Sequence, residues 1–190
     1  EDDEAEDDDE DRVEVLEDAR ELPEGSRPFF ICQPMQRLRL PEQVDSVICC
    51  LDSLNYVTRP ADVQKTFRRV YETLAPGGLF LFDINTPYKL RELAGQTFLD
   101  ETDDIYCVWR TEFDEKRRLC YYGMDLFQKA GTVWERSFEE HIEYAYTPEE
   151  LTAWLRESGF ARVDVFGDRK CRAPKEDELR VYLAARKETT

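Results

Sequence analysis

Histidine is almost absent from this chain: its 190 residues include one, His141. With one imidazole and no recognisable triad partner, the six cysteines are poor candidates for thiol catalysis. Those cysteines (Cys32, Cys49, Cys50, Cys107, Cys120 and Cys171) show no C-x-x-C spacing. A zinc knuckle or thioredoxin-type motif is therefore not expected, and no metal site is predicted. Four of them lie in apolar, strand-like runs, and Cys32 adjoins Phe29–Ile31. They read as small buried hydrophobes kept reduced, which predicts a cytoplasmic setting. No run of 18 apolar residues occurs, so the sequence offers no membrane-spanning helix. No basic-then-apolar leader is visible, and the first residue is Glu1 rather than Met. Bases are scarce, 26 against 43 acids, for a net charge of -17. That argues against nucleic acid as a partner, because phosphate contacts need clustered Lys and Arg. Glycine is scarce as well: of eight, only Gly25 precedes Gly77.

What remains is ample for one domain, with 41% apolar residues. The acidity is concentrated. Residues 1–18 hold 13 acids against Arg12 and carry -12, which leaves an ordinary -5 for the rest. The run Glu1–Asp11 reads either as an acidic tail for a basic partner or as a solvated, self-repelling loop, the second being the commoner meaning of such runs. Residues 1–24 are accordingly expected to be an acidic, flexible segment ahead of a domain at 25–190.

From Phe29 the pattern sharpens. Phe29–Cys32 reads as a short strand. Val44–Leu51 is a nearly continuous apolar run that suits a central strand covered on both faces. Val63, Phe67, Val70, Tyr71 and Leu74 then fall on one face of a 3.6-residue period, with Thr58 and Pro60 at the helix start. Pro76-Gly77-Gly78 is a stop, and Leu79–Ile84 is a further buried strand. Strand, helix and strand with tight links form a βαβ unit, so a parallel sheet is predicted. A short helix runs from Pro87 to about Ala94. Ile105–Phe113, Leu119–Phe127 and Val133–Tyr146 alternate and are joined by short polar links, which predicts an inserted three-stranded antiparallel meander over residues 100–146. In its last strand, Trp134, Phe138, Ile142, Tyr144 and Tyr146 point one way and Glu135, Glu139, His141 and Glu143 the other, so the charged face is expected to be wet. Thr147-Pro148-Glu149-Glu150 is a capping box. A helix to Gly159 follows, and Arg162–Phe166 and Val181–Ala185 are two closing strands of the resumed parallel pattern.

The segment VDSVICCLDSLNYV, the amphipathic helix and LAPGGLFLFDINTP resemble the second half of a class I S-adenosylmethionine-dependent methyltransferase, more narrowly one of a small bacterial family with an antiparallel insertion. The residues that carry the resemblance are Asp52, Ser53, Asn55 and Tyr56, then Pro76, Gly77 and Gly78, then Asp83 and Asn85. It covers roughly residues 29–187. It implies an α/β, Rossmann-like, mostly parallel sheet and S-adenosylmethionine as cofactor. Ligands in such sheets sit beyond the carboxyl ends of the strands. Met35, Leu51, Asp52 and Asn55 are therefore expected at the cofactor, and Tyr56 and Asn85 at the methyl acceptor, a small molecule. Asp83 reads equally as a structural hydrogen-bonding group. Tyr106, Trp109, Tyr121, Tyr122 and Trp134 line an acceptor pocket or simply pack within the sheet.

Two departures from the family stand out. Where the family has an acidic residue before Met, to accept from the adenine amine, this chain has Pro34-Met35, and Pro34 supplies neither a carboxylate nor an N–H. The family's first strand, its G-x-G-x-G loop and its ribose-binding acid are not in the 190 residues. The chain is thus expected to be the C-terminal two-thirds of a longer protein. The competing expectation is a non-catalytic remnant that serves as a protein-interaction module. A nicotinamide-dependent oxidoreductase has only fold analogy behind it.

Overall fold

The computed structural model describes residues 13, 14, 23, 26, 28 and 30–189. The acidic run Glu1–Asp11 lies outside the described residues. Strands β1 (Val13–Glu14) and β2 (Phe30–Ile31) pair antiparallel as a small ribbon. The single turn Met35–Arg37 leads to β3 (Val44–Cys49), α1 (Pro60–Thr73) and β4 (Leu74–Asn85). Next come α2 (Pro87–Glu92) and the strands β5 (Thr97–Glu101), β6 (Ile105–Asp114), β7 (Leu119–Ala130) and β8 (Val133–Tyr144). The chain closes with α3 (Pro148–Glu157), β9 (Arg162–Gly167) and β10 (Arg180–Arg186).

The main sheet has the order β3-β4-β10-β9. β3 and β4 are parallel, as the βαβ pattern requires. β10 runs antiparallel to both β4 and β9, so β9 shares the direction of β3 and β4 while β10 opposes them. The closing pair is therefore not a plain continuation of the parallel pattern. Apolar periodicity reports burial, and it carries no information about strand direction.

β3 is not the central strand that its apolar run suggests. Among the described residues it pairs only with β4, and it is an edge strand rather than a central one. Ile48 is 65% exposed on it.

The core forms where α1 and α3 pack on this sheet. Val63, Phe67 and Val70 of α1 are buried against Phe80, Phe82, Leu151, Leu155, Phe160 and Leu183. Phe80 and Phe82 stack at 4.7 Å between ring centroids, and Phe67 lies 5.7 Å from Phe82. Each such side chain contributes about 1.5–3 kcal/mol on full burial. Thr147 caps α3 in a reciprocal box: its hydroxyl accepts from the Glu150 N–H at 3.2 Å, and its own N–H donates to the Glu150 carboxylate at 3.0 Å. The Arg118 guanidinium grips the same carboxylate with both ends, at 2.7 and 2.6 Å, and so ties the meander to α3.

Pro76-Gly77-Gly78 lies inside β4 rather than in a loop before it. Gly77 takes a positive φ of 78°. Gly78 has no room for a side chain: a Cβ there would meet the Ala75 carbonyl at 2.8 Å and the Leu74 side chain at 3.1 Å. Gly78→Ala is expected to destabilise the protein by about 1–3 kcal/mol, measurable as a lowered denaturation midpoint with unchanged slope.

The meander has four strands, order β5-β6-β7-β8, rather than three. β5 (TFLDE) is exposed along its length and carries no alternation to reveal it. The expectation of a wet charged face on β8 fails near the site, whereas Tyr144 and Tyr146 on the apolar face pack against the core as expected. Cross-strand register places Thr111, Tyr122 and His141 in one row, and Phe113, Cys120 and Glu143 in the next. That charged face of β8 is also covered at its C-terminal end, where Glu143 is buried. On the other face, Trp134 and Phe138 are 48% and 56% exposed. The cysteines also divide differently from expectation: Cys107 and Cys120 are buried, Cys49 is half-buried, and Cys32, Cys50 and Cys171 are exposed.

Candidate active site

The parallel strands β3 and β4 end side by side, and the chain turns sharply after each. After β3, Leu51 and Asp52 adopt consecutive left-handed conformations, φ 58° and 50°. Neither is glycine, so each costs about 1–2 kcal/mol. Specific bonds hold the turn. The Asp52 N–H donates to the Asp83 carboxylate at 3.1 Å, the Asn55 N–H to the Asp52 carbonyl at 2.8 Å, and the Ser53 hydroxyl to the Cys50 carbonyl at 2.6 Å. Arg180, at the start of β10, bridges the two acids: its guanidinium bonds the Asp52 carboxylate at 2.6 Å, the Asp83 carboxylate and the Asn85 side-chain oxygen at 3.0 Å.

Asn55 is wholly buried. Its side-chain amide donates to the Asn85 and Tyr144 carbonyls, both at 3.0 Å, and its oxygen accepts from the Asn85 N–H at 3.1 Å. The Tyr144 N–H donates to the Asn55 carbonyl at 2.8 Å. Asn55 thus stitches the turn, the end of β4 and the end of β8 together, from inside the protein. The Asn85 amide in turn donates to the Glu143 carboxylate at 2.9 Å, and the Lys89 ammonium donates to the Asn85 oxygen at 2.8 Å.

The turn at 50–56 separates two cavities. One, of about 590 Å³, is mainly apolar; Met35, Leu38, Cys49, Cys50, Ser53 and Leu54 are among its lining residues. The other, of about 450 Å³, lies between the turn and the meander; Asp52, Tyr56, Asn85, Trp109, Tyr122 and Glu143 are among its lining residues. Of the residues expected from sequence, Met35 lines the first cavity, and Asp52, Tyr56 and Asn85 converge on the second. Leu51 is 78% exposed and Asn55 is interior, and neither lines either cavity. Of the meander aromatics, Trp109 and Tyr122 face the second cavity, whereas Tyr106, Tyr121 and Trp134 do not line it. His141 sits beside Tyr56, ring edge to ring face at 5.9 Å, with its Nε2 3.4 Å from Glu139. Cys49 is no nucleophile candidate, since burial and its neighbour Cys50 push its thiol up to about 11.

Sequence reasoning missed Glu143, Lys89 and Arg180. Glu143 is 3% exposed. Burial pushes its carboxyl above the ordinary glutamate range; the Asn85 amide partly offsets this, and the nearby Asp52 charge adds to the rise. A carboxyl raised in the fold binds protons more tightly folded than unfolded. Its contribution is full below the ordinary glutamate range and is lost as pH rises through the raised value. Glu143→Gln removes that loss. The melting temperature of the variant relative to the parent is therefore expected to rise as pH increases from the ordinary glutamate range upward, and a constant difference would contradict the assignment.

A family described as "Methyltransferase domain" matches residues 10–82. The Bacillus subtilis protein named "Putative methyltransferase YqeM" is 30% identical over 180 residues, covering 93% of this chain and 73% of that protein. The chain belongs to the class I S-adenosylmethionine-dependent methyltransferases. A Geobacillus methyltransferase-named relative is 29% identical over 160 residues. The crystal structure of an S-adenosylmethionine-dependent methyltransferase from Clostridium acetobutylicum superposes with a TM-score of 0.75 at 28% identity over 83% of this chain. The chain spans 65% of the length of the Geobacillus relative and 63% of the Clostridium one.

The methyltransferase cofactor is S-adenosylmethionine, and the described residues fit it in part. The first cavity offers apolar wall to an adenine or a thioether, through Met35, Leu38 and Leu54. For the ribose hydroxyls and the carboxylate it offers little. The Gln33 amide, which lines the same cavity, is engaged with both backbone groups of Arg39, at 2.8 and 2.9 Å. Among the described residues the earliest glycine is Gly77, so no glycine backbone lies close to the cavity from β3 or before it.

Proposed function

We propose that the protein serves methyl transfer from S-adenosylmethionine to a small-molecule acceptor, with the cofactor's apolar parts in the Met35 cavity and the acceptor in the Trp109 cavity. The observation that carries this reading is the turn at 50–56, which lines one cavity with Cys50, Ser53 and Leu54 and the other with Asp52 and Tyr56. The cofactor supplies a methyl already activated by sulfonium, so the protein's work is alignment and, where the acceptor needs it, proton removal. Asp52 is held by Arg180 and Asn85 by Asn55, which keeps both walls of the second cavity rigid. Tyr56 stands at that cavity's edge with a half-exposed ring, suited to stack on a bound ligand. The body of the chain carries -5, which favours a small acceptor over a polyanion.

Calorimetric titration with S-adenosylhomocysteine tests the division. Binding is expected to be weak, because the described residues supply only part of the polar shell. Cys50→Trp, which fills the first cavity from an exposed position, is expected to abolish it. Asp100→Ala, in the second cavity, is expected to leave it unchanged. Binding that survives Cys50→Trp and is lost in Asp100→Ala would reverse the assignment of the two cavities.

A further inference from the structure

The second cavity joins three features that converge on one ligand chemistry. Its walls are aromatic, formed by Tyr56, Trp109, Tyr122 and Phe98. It carries three carboxylates, of which Asp52 is satisfied by Arg180, and Asp100 accepts from the Trp109 indole N–H at 3.1 Å. The third, Glu143, is the most deeply buried, and it has no cation at ion-pair distance among the described residues. The Lys89 ammonium, which also faces the cavity, is turned onto the Asn85 oxygen at 2.8 Å. A buried carboxylate without a counter-cation is costly, and a cationic ligand would remove that cost. Aromatic faces attract the same ligands and do nothing comparable for an anion or a neutral hydroxyl.

We infer that the acceptor is a protonatable amine, its nitrogen received between the Glu143 carboxylate and the rings of Trp109 and Tyr122. The inference rests on reading this cavity as the acceptor site. It also assigns Glu143 a step. An ammonium N–H bond breaks, its electron pair stays on nitrogen as the lone pair, and the proton forms an O–H bond on the Glu143 carboxylate. The amine is then neutral and nucleophilic, and Glu143 is protonated. The groups that face Glu143 set how readily it takes that proton. Burial and the Asp52 charge favour the protonated form, while the Asn85 amide, the Tyr122 hydroxyl and Lys89 oppose it. Tyr56 and Cys120 also feel its charge. Their own protons are held firmly: burial raises the Tyr56 hydroxyl and pushes the Cys120 thiol up to about 11.

The test uses the protein with benzylamine and its near-isostere benzyl alcohol as probes, read by indole fluorescence and by calorimetry. Benzylammonium is expected to bind about tenfold or more tightly than benzyl alcohol, and Glu143→Gln is expected to erase most of that preference. Equal affinity of the two probes for the parent protein, or failure of benzylamine to bind at millimolar concentration, overturns the inference without recourse to any variant. A preference that survives Glu143→Gln in a folded variant overturns the assignment to Glu143. An amine preference in a protein that does not bind S-adenosylhomocysteine would support the amine site and count against the methyltransferase reading. Cofactor binding with indifference to the amine would leave that reading standing and overturn this one.

Discussion

Arg180→Met is expected to cost about 3 kcal/mol of stability, on the order of 10 °C in melting temperature for a domain of this size. Arg180 links three elements that are distant in sequence: the turn after β3 through Asp52, strand β4 through Asp83 and Asn85, and β10 by its own position. The side chains of Asp83 and Asp52 are 6% and 15% exposed. Methionine keeps much of the volume and removes the charge. It would leave two carboxylates side by side with little water to solvate them, which is the costly half of breaking a buried ion pair. The same two acids hold the left-handed turn, since Asp83 accepts from the Asp52 N–H. The loss should therefore exceed that of removing an exposed pair such as Arg91–Glu115, worth about 0–1 kcal/mol. Adding Asp83→Asn to Arg180→Met is expected to recover part of the loss. A decline of less than about 1 kcal/mol in the single variant would show that the bridge does not bear on the turn.

Asn55→Ala is expected to be as severe by a different route. The Asn55 side chain makes three hydrogen bonds inside the protein, two as donor and one as acceptor. Alanine leaves the Asn85 and Tyr144 carbonyls and the Asn85 N–H without these partners, at about 1–3 kcal/mol for each group that water does not reach. The expected total is about 3 kcal/mol, seen as a lower denaturant midpoint. Fluorescence of the cavity should change as well, because the end of β8 is held to the turn through Tyr144. If Asn55 instead served the cofactor directly, Asn55→Ala would weaken S-adenosylhomocysteine binding with little change in the midpoint.

The parts of the fold that could be read from sequence are those that a period or a local motif encodes. The apolar stripe of Val63, Phe67 and Val70 names the buried face of α1, and Thr147 and Glu150 name the start of α3. The parallel pairing of β3 and β4 follows from their link through a helix. The direction of β10 does not follow, because a buried strand has the same apolar pattern either way up. β5 escaped because an exposed strand has no inside to alternate with. The candidate site was half legible. The run D-S-L-N-Y and the end of β4 located Asp52, Tyr56 and Asn85, but from sequence Asn55 is indistinguishable from a ligand-facing residue. Glu143 looked like one more acid on a charged strand face. Only the docking of β8 against Asn55 and Asn85 turns that face inward, and such docking depends on residues about 58 and 89 apart in the chain. Arg180 belongs to no motif, and its role rests on contacts with Asp52 and Asp83 across the sheet.

In the proposed division the turn at 50–56 stands between a cofactor cavity and an acceptor cavity, and the chain's two methionines report on the two sides. Met35 lines the first cavity, and Met124 of β7 pairs directly with Trp109 of β6, which lines the second. With ¹³C-methyl methionine, titration of S-adenosylhomocysteine into the protein at millimolar concentration should shift the Met35 resonance and leave that of Met124 nearly still. Movement of Met124 with Met35 unmoved, or no movement of either, would contradict the account.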